Sequence, residues 1–147
     1  MVCSGINLAL WLPGTAAYTS ERRVMDRRGI IAIVDDDAAV RTAVSMLVRA
    51  FGWEPRAYDS AEAFLDAREE GADCLVVDLR MPGMSGVDLQ RELTSRGSTV
   101  PMLMVTAHGD GPLADAARKA GALVVLGKPF REQELRYWIE RAVEARD

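Results

Sequence analysis

The sequence of 147 residues contains little cysteine, histidine or aromatic side chain: two Cys, one His and 6% aromatic residues. Cys3 and Cys74 lie far apart and have neither metal-binding nor disulfide spacing. We interpret both as reduced thiols in a cytoplasmic protein. The composition therefore excludes a disulfide-stapled scaffold and a cysteine-based metal site.

A long apolar run and an excess of positive charge are also missing. No run approaches the ~20 apolar residues that a membrane-spanning helix needs. The formal net charge is -4 and the sequence pI is about 5.1, which does not favour a nucleic-acid backbone as partner. We expect neither membrane nor nucleic-acid binding. The length suits one domain with a core of its own.

Residues 1–28 differ from the remainder. Their apolar patch, Ile6–Leu12, precedes the basic residues, which is the reverse of the order in a secretory signal. We interpret residues 1–28 as a disordered or loosely packed extension; an amphipathic docking segment around Trp11 is the alternative. Met25 could be a second start site close to the first strand. Residues 29–147 are predicted to form the domain.

From Gly29 onward, apolar strands alternate with amphipathic helices. Continuous apolar runs are typical of strands buried on both faces, whereas the more polar Glu54–Tyr58 suits a sheet edge. The four buried runs are Ile30–Val34, Cys74–Val77, Val100–Val105 and Leu123–Leu126. Each of the five strands is followed by a helical segment, and the last two helices are predicted over Asp110–Ala120 and Glu132–Ala145. This alternation predicts an α/β fold: a flavodoxin-like, doubly wound, five-stranded parallel sheet of order 2-1-3-4-5, with five helices.

Polar residues stand where the four buried strands end. They are Asp35, Asp36, Asp78, Thr106 and Lys128. Because the carboxyl ends of parallel strands share one edge, these side chains should converge. Three close carboxylates repel one another and call for a divalent cation, and hard oxygen ligands favour Mg²⁺. An ammonium and a hydroxyl beside them suit a phosphate group.

Four motifs together carry a family resemblance. They are I-V-D-D-D-A-A-V-R, V-V-D-L-R-M-P-G-M-S-G, V-T-A-H-G-D and K-P-F. The stretch from Gly29 to about Ala145 resembles the receiver domain of two-component response regulators, and is most similar to the type found in nitrogen-fixation regulators. Such a module is not an enzyme for a separate substrate, because it catalyses only its own phosphorylation and dephosphorylation.

The resemblance implies a role for each residue of the predicted site. Asp78 would accept a phosphoryl group from a histidine kinase or phosphotransfer protein. Asp35, Asp36 and Asp78 would hold Mg²⁺ together with the backbone carbonyl of Arg80.

It also implies roles for the residues around the phosphoryl group. Thr106 would contact that group, Lys128 would pair with it, and the Lys128-Pro129 bond would be cis. The Arg80 side chain and His108 would tune the lifetime of the aspartyl phosphate, with plain solvent exposure as the alternative for His108.

The sequence departs from the family pattern at Val125. An aromatic residue is usual at this position and swings inward when the threonine moves. A valine is stiff at its first side-chain torsion and has no ring to relocate. We therefore expect phosphorylation to shift the segment His108–Pro112 and the helix after it.

The expected output is a protein contact, because the sequence ends at Asp147, just after the last helix, and no output domain is expected. The contact would use the face of the fourth helix, fifth strand and fifth helix (α4-β5-α5), including a phosphorylation-dependent dimer, or would serve to hand the phosphoryl group on. Tyr137 and Arg141 are candidates on this face, with ordinary exposure as the alternative. The downstream partner is unknown.

The kinase would dock on outward positions of the first helix, which are Ala39, Thr42, Met46 and Arg49.

Two other classes of function are considered. A pseudo-receiver that binds partners without phosphorylation is favoured only by Val125. A flavin-binding domain is disfavoured because Asp35-Asp36-Asp37 occupies the loop where a flavin phosphate would need backbone donors.

Overall fold

The computed structural model describes residues 10–11, 14–15, 29–107 and 111–146. Its main sheet has five parallel strands in the predicted order 2-1-3-4-5. The strands are β1 Ile30–Val34, β2 Glu54–Tyr58, β3 Ala72–Asp78, β4 Met102–Thr106 and β5 Val124–Gly127. The helices that follow them are α1 Ala38–Ala50, α2 Ala61–Ala67, α3 Gly86–Ser95, α4 Pro112–Lys119 and α5 Glu132–Arg146. The predicted fold class is therefore confirmed.

The first 28 residues contribute one described feature. Leu10–Trp11 and Gly14–Thr15 pair as two short antiparallel strands. Residues 1–9, 12–13 and 16–28 lie outside the described residues. The interpretation of residues 1–28 as an extension therefore stays a prediction.

Helices cover both faces of the sheet. Successive side chains of a strand point to opposite faces, and here both sets are apolar and need to be covered. In β1, Ala32 and Val34 face the core beneath α2, α3 and α4, whereas Ile31 and Ile33 face the core beneath α1 and α5. All four side chains are fully or almost fully buried. Among the residues that the structure describes, no helix is long and apolar enough to cross a bilayer.

Several strand and helix boundaries differ from the predicted ones. The third strand, β3, is longer at both ends than the predicted Cys74–Val77, and α5 ends at Arg146 instead of Ala145. β4 begins at Met102 rather than Val100, after Pro101, which has no N–H to donate. β5 is displaced by one residue, to Val124–Gly127, and Leu123 is exposed. α4 is shorter than predicted, because Gly111 is its N-cap and Pro112 its first residue.

Local capping places the helices directly behind the strand ends. Asp37 caps α1 by accepting the N–H groups of Ala39 and Val40. Ser85 and Asp88 form a capping box at the start of α3. The residues between each strand and its helix therefore belong to short loops at one sheet edge.

Gly86 closes the loop after β3 by packing against the strand itself. A Cβ at this position would lie 2.9 Å from the carbonyl oxygen of Asp78 and 3.0 Å from the sulfur of Met104. Gly86→Ala should therefore lower the free energy of unfolding by about 1–2 kcal/mol, since overpacking outweighs the gain in helix propensity. Urea titration would measure the loss. Gly127→Ala is the matched control, because nothing lies within 4 Å of its Cβ position; equal effects in the two variants would contradict the prediction.

Candidate functional site

The predicted carboxylates meet at the carboxyl edge of the sheet. Asp35 and Asp36 follow β1, and Asp78 ends β3, the neighbouring strand. One oxygen from each of the three side chains lies within 4.8 Å of the other two. Such a set of hard oxygen ligands fits Mg²⁺ better than a thiophilic metal.

The three carboxylates differ in burial. Asp35 and Asp78 are 3% and 8% exposed, whereas Asp36 is exposed to solvent. Asp35 Oδ1 accepts the N–H of Asp37 at 2.9 Å, and Asp78 Oδ1 accepts the N–H of Arg80 at 3.3 Å. The backbone therefore holds one oxygen of each buried carboxylate.

Lys128 lies beside both buried carboxylates. Its Nζ lies 3.4 Å from Asp35 Oδ2 and 3.8 Å from Asp78 Oδ2. The side chain as a whole is 25% exposed, so Lys128 is not sealed off from solvent. The Lys128-Pro129 bond is cis, as the resemblance implies.

Backbone hydrogen bonds join the loops just beyond the strand ends. The N–H of Asp35 donates to the carbonyl of Tyr58 at 3.1 Å, and the N–H of Leu79 donates to Val105 at 2.8 Å. The N–H of Lys128 donates to the carbonyl of Thr106 at 2.7 Å. The site residues therefore continue the hydrogen-bonded rows of the sheet.

Thr106 is the last residue of β4 and is almost completely buried. It stands one position beyond Val105, the register partner of Asp78, and pairs with Gly127 of β5. Thr106 therefore lies between the strands that bring Asp78 and Lys128 to the edge.

The pKa of the Asp78 carboxyl reflects both the burial and the charges of the pocket. This pKa is raised to about 6, mainly by burial and next by the negative charge of Asp35. Lys128 and the N–H of Arg80 act in the opposite direction but do not compensate. A cation near Asp78 would remove this penalty, so the pocket suits a bound Mg²⁺.

Three predicted roles around the pocket remain without a contact that tests them. The Arg80 side chain is exposed, and only its backbone N–H is placed by a hydrogen bond to Asp78. His108 lies outside the described residues, so its tuning role stays a prediction. Val125 is half-buried against the core beneath α4, with no ring available for a rotamer switch.

The predicted docking positions are at the surface. Ala39, Thr42, Met46 and Arg49 are all exposed on α1, Met46 by 63%. Tyr137 is exposed on α5, and the guanidinium of Arg141 lies 4.9 Å from its ring centroid. These exposures are compatible with docking, and the partner roles stay predictions.

Two contacts near the site were not predicted from the sequence. Arg41 Nη1 donates to the carbonyl of Asp35 at 2.7 Å, which ties α1 to the first loop. Glu62 Oε2 accepts the N–H of Met84 at 2.9 Å. Arg41 lies within the first motif and could have been singled out there, whereas Glu62 belongs to another element and no local pattern indicates its contact.

The comparisons with known proteins agree with this geometry. A family model described as "Response regulator receiver domain" matches residues 31–140. The response regulator protein TodT of Pseudomonas putida is 46% identical over 118 residues, which cover 80% of this chain and 52% of TodT. The transcriptional regulatory protein FixJ of Bradyrhizobium diazoefficiens is 41% identical over 120 residues, covering 81% of this chain and 58% of FixJ. The chain thus spans about half the length of these curated relatives.

Solved structures show the same fold. The crystal structure of FixJ-N is similar with a TM-score of 0.74 and 39% identity, covering 80% of this chain and 95% of that one. The response regulator StyR is similar with a TM-score of 0.73 and 43% identity, covering 80% of this chain and 60% of that one.

Proposed function

Because this chain belongs to the response regulator receiver family of two-component systems, we propose that Asp78 accepts a phosphoryl group from the phosphohistidine of a histidine kinase or phosphotransfer protein. One observation carries the proposal. A buried carboxylate, Asp78, lies beside a second carboxylate and 3.8 Å from an ammonium, at the open edge of the sheet.

Asp78 is the nucleophile of the proposed reaction. One of its carboxylate oxygens forms the new bond to phosphorus, and the phosphorus–nitrogen bond of the donor breaks. The bonding electron pair leaves with the donor imidazole. Since the transition state places charge on the equatorial oxygens, groups that neutralise this charge have the largest effect.

Lys128 and Thr106 supply fixed groups for those oxygens. The ammonium of Lys128 is partly exposed and already oriented toward Asp78. The hydroxyl of Thr106 comes from the neighbouring strand and would contact the bound phosphoryl group. Mg²⁺, held by Asp35, Asp36, Asp78 and the Arg80 carbonyl, would neutralise charge on the phosphoryl oxygens.

Water would remove the phosphoryl group again, because an acyl phosphate in a partly open pocket can be hydrolysed. The module would then catalyse its own phosphorylation and dephosphorylation and no separate reaction. From the resemblance to the family, we assign the tuning of this lifetime to the side chains of Arg80 and His108.

The proposed output is a protein contact made in the cytoplasm. The face of α4, β5 and α5 would carry it, including a phosphorylation-dependent dimer, and the exposed Tyr137 and its stacked Arg141 support this choice. The kinase would dock on α1, where Met46 is exposed. The chain spans about half the length of its curated relatives. What the whole protein does in response to phosphorylation is therefore proposed and not inferred from those relatives.

A pseudo-receiver is the second candidate, and Val125 favours it. Because Val125 of β5 has no ring, the inward rotation of an aromatic side chain that is usual in the family is not available here. The carboxylates and the ammonium support phosphorylation instead, because a pocket used only for partner binding has no need of them.

Incubation with acetyl phosphate and Mg²⁺ tests the proposal. We expect the mass of one phosphoryl group to be added, peptide mapping to locate it on Asp78, and chelation of Mg²⁺ to prevent it. An unmodified protein would favour the pseudo-receiver. A phosphoryl group on another residue would overturn the assignment of Asp78.

A further inference from the structure

The loop between β3 and α3, residues 79–85, carries Arg80, whose carbonyl is a proposed Mg²⁺ ligand. Both ends of this loop are fixed by backbone hydrogen bonds. Leu79 donates to Val105 at 2.8 Å, and Gly86 donates to the carbonyl of Leu79 at 3.0 Å. The position of the Arg80 carbonyl therefore depends on what holds the middle of the loop.

Two successive amides in the loop are accepted by carboxylates. The N–H of Ser85 donates to Asp88 at 3.0 Å, within the capping box of α3. The N–H of Met84 donates at 2.9 Å to Glu62, which belongs to α2 and lies 22 residues earlier. Glu62 thus ties the loop to a helix of another β-α unit.

The backbone of Gly83 is shaped around the Glu62 carboxylate. Gly83 has φ +77°, in the left-handed region, and a Cβ at this position would lie 2.7 Å from Glu62 Oε2. The carboxylate therefore fills the space that a side chain at position 83 would need.

The backbone of Glu62 is held in place by a packed helix, while its side chain lies exposed beside the loop. Ser60 caps α2 by accepting the N–H of Ala63, and Ala61 and Phe64 are buried on either side of Glu62. From the loop, Met81 packs into the same core cluster and is 9% exposed. The hydrogen bond from Met84 to Glu62 therefore connects two elements that already share a core.

We propose that Glu62 is a positioning residue for the Mg²⁺ site. It acts through the loop rather than on the metal, since the acidic cluster of the described residues consists of Asp35, Asp36 and Asp78. By accepting the Met84 N–H, Glu62 holds the loop in the shape that presents the Arg80 carbonyl to the cation. This inference rests on the proposed function, which supplies the cation.

Three variants separate the hydrogen bond from the charge. Glu62→Ala removes both, and Glu62→Gln removes the charge but keeps an oxygen acceptor for Met84. Asp66→Ala removes an exposed charge one turn further along α2. Isothermal titration with Mg²⁺ alone, below the melting temperature, gives the dissociation constant of each variant.

We expect Glu62→Ala to raise the Mg²⁺ dissociation constant about tenfold, the lower end of the range for a group that orients a metal ligand. Glu62→Gln and Asp66→Ala should remain within about twofold of wild type, because the acceptor is kept in the first and the loop is untouched in the second. Saturating Mg²⁺ should restore the phosphorylation rate of Glu62→Ala, which a general loss of folding would not allow.

Unchanged Mg²⁺ affinity in Glu62→Ala would overturn the positioning role. Equal losses in Glu62→Ala and Glu62→Gln would overturn it as well, because the charge and not the acceptor would then matter. A wild-type protein that binds no Mg²⁺ would overturn the proposed function and this inference together. The results for the Glu62 variants overturn the inference alone, so the two failures are distinguishable.

Discussion

Asp78→Asn should abolish phosphorylation and, in the absence of a divalent cation, make the protein more stable. The first effect follows because an amide nitrogen and a neutral carbonyl oxygen replace the nucleophile; we expect the phosphorylation rate to fall by at least about 100-fold. The second effect follows from the environment of Asp78, which opposes the charged form.

The pH dependence of the second effect has a definite sign. The pKa of Asp78 is raised from an ordinary value of 3.8 to about 6 in the folded protein, first by burial and then by Asp35. Below pH ~4 the carboxyl is protonated in both the folded and the unfolded state, so it costs nothing. Between pH ~4 and ~6 the unfolded chain loses the proton first, and the folded protein becomes less stable as the pH rises. Above this window the cost is full, on the order of 3 kcal/mol.

Thermal melts in EDTA at several pH values measure this cost. At pH ~7.5 we expect the melting temperature of Asp78→Asn to exceed that of wild type by roughly 6–12 °C, and the difference to vanish near pH ~4. Glu70→Gln is the control, because Glu70 is exposed and lies outside the pocket. A difference that does not change with pH would contradict the explanation by burial.

Lys128→Met should change cation binding and phosphorylation in opposite directions. The ammonium of Lys128 neutralises Asp35 and Asp78 at 3.4 and 3.8 Å. Without it the carboxylates attract Mg²⁺ more strongly, and the dissociation constant should fall by about tenfold. The transferred phosphoryl group would lose one of its cationic partners, and the phosphorylation rate should fall by about 100-fold even at saturating Mg²⁺.

Calorimetric titration and a time course with acetyl phosphate give the two quantities. Lys119→Met is the matched control: Lys119 is the other lysine of the sequence and is exposed at the end of α4. We expect both quantities to stay at the wild-type level in this control. Weaker Mg²⁺ binding in Lys128→Met would show that the lysine supports the cation site and does not compete with it.

The fold and the main pocket were predictable because each depends on a local pattern. Four apolar runs ending in polar residues predict four central strands, and parallel pairing brings Asp35, Asp78, Thr106 and Lys128 to one edge. The capping box of Ser85 and Asp88 was predictable for the same reason, since its partners are three residues apart.

Contacts between separate elements were not predictable from such patterns. Asp35 and Asp36 are adjacent in sequence, yet only Asp35 is buried, because burial depends on which way the chain leaves β1. The Met84–Glu62 hydrogen bond joins residues that no helical or strand period relates. The start of β4 depends on where pairing with β3 becomes possible beyond Pro101.

The hydrogen bonds just beyond the strand ends determine which motions are available for signalling. Asp35, Leu79 and Lys128 each donate a backbone N–H to the neighbouring strand or loop. Amides bonded in this way to sheet strands are expected to open less readily than the amides of unpaired loops. The pocket floor should therefore act as a rigid reference frame, and a conformational signal from it must travel through side-chain rotation and through the segments that leave the sheet.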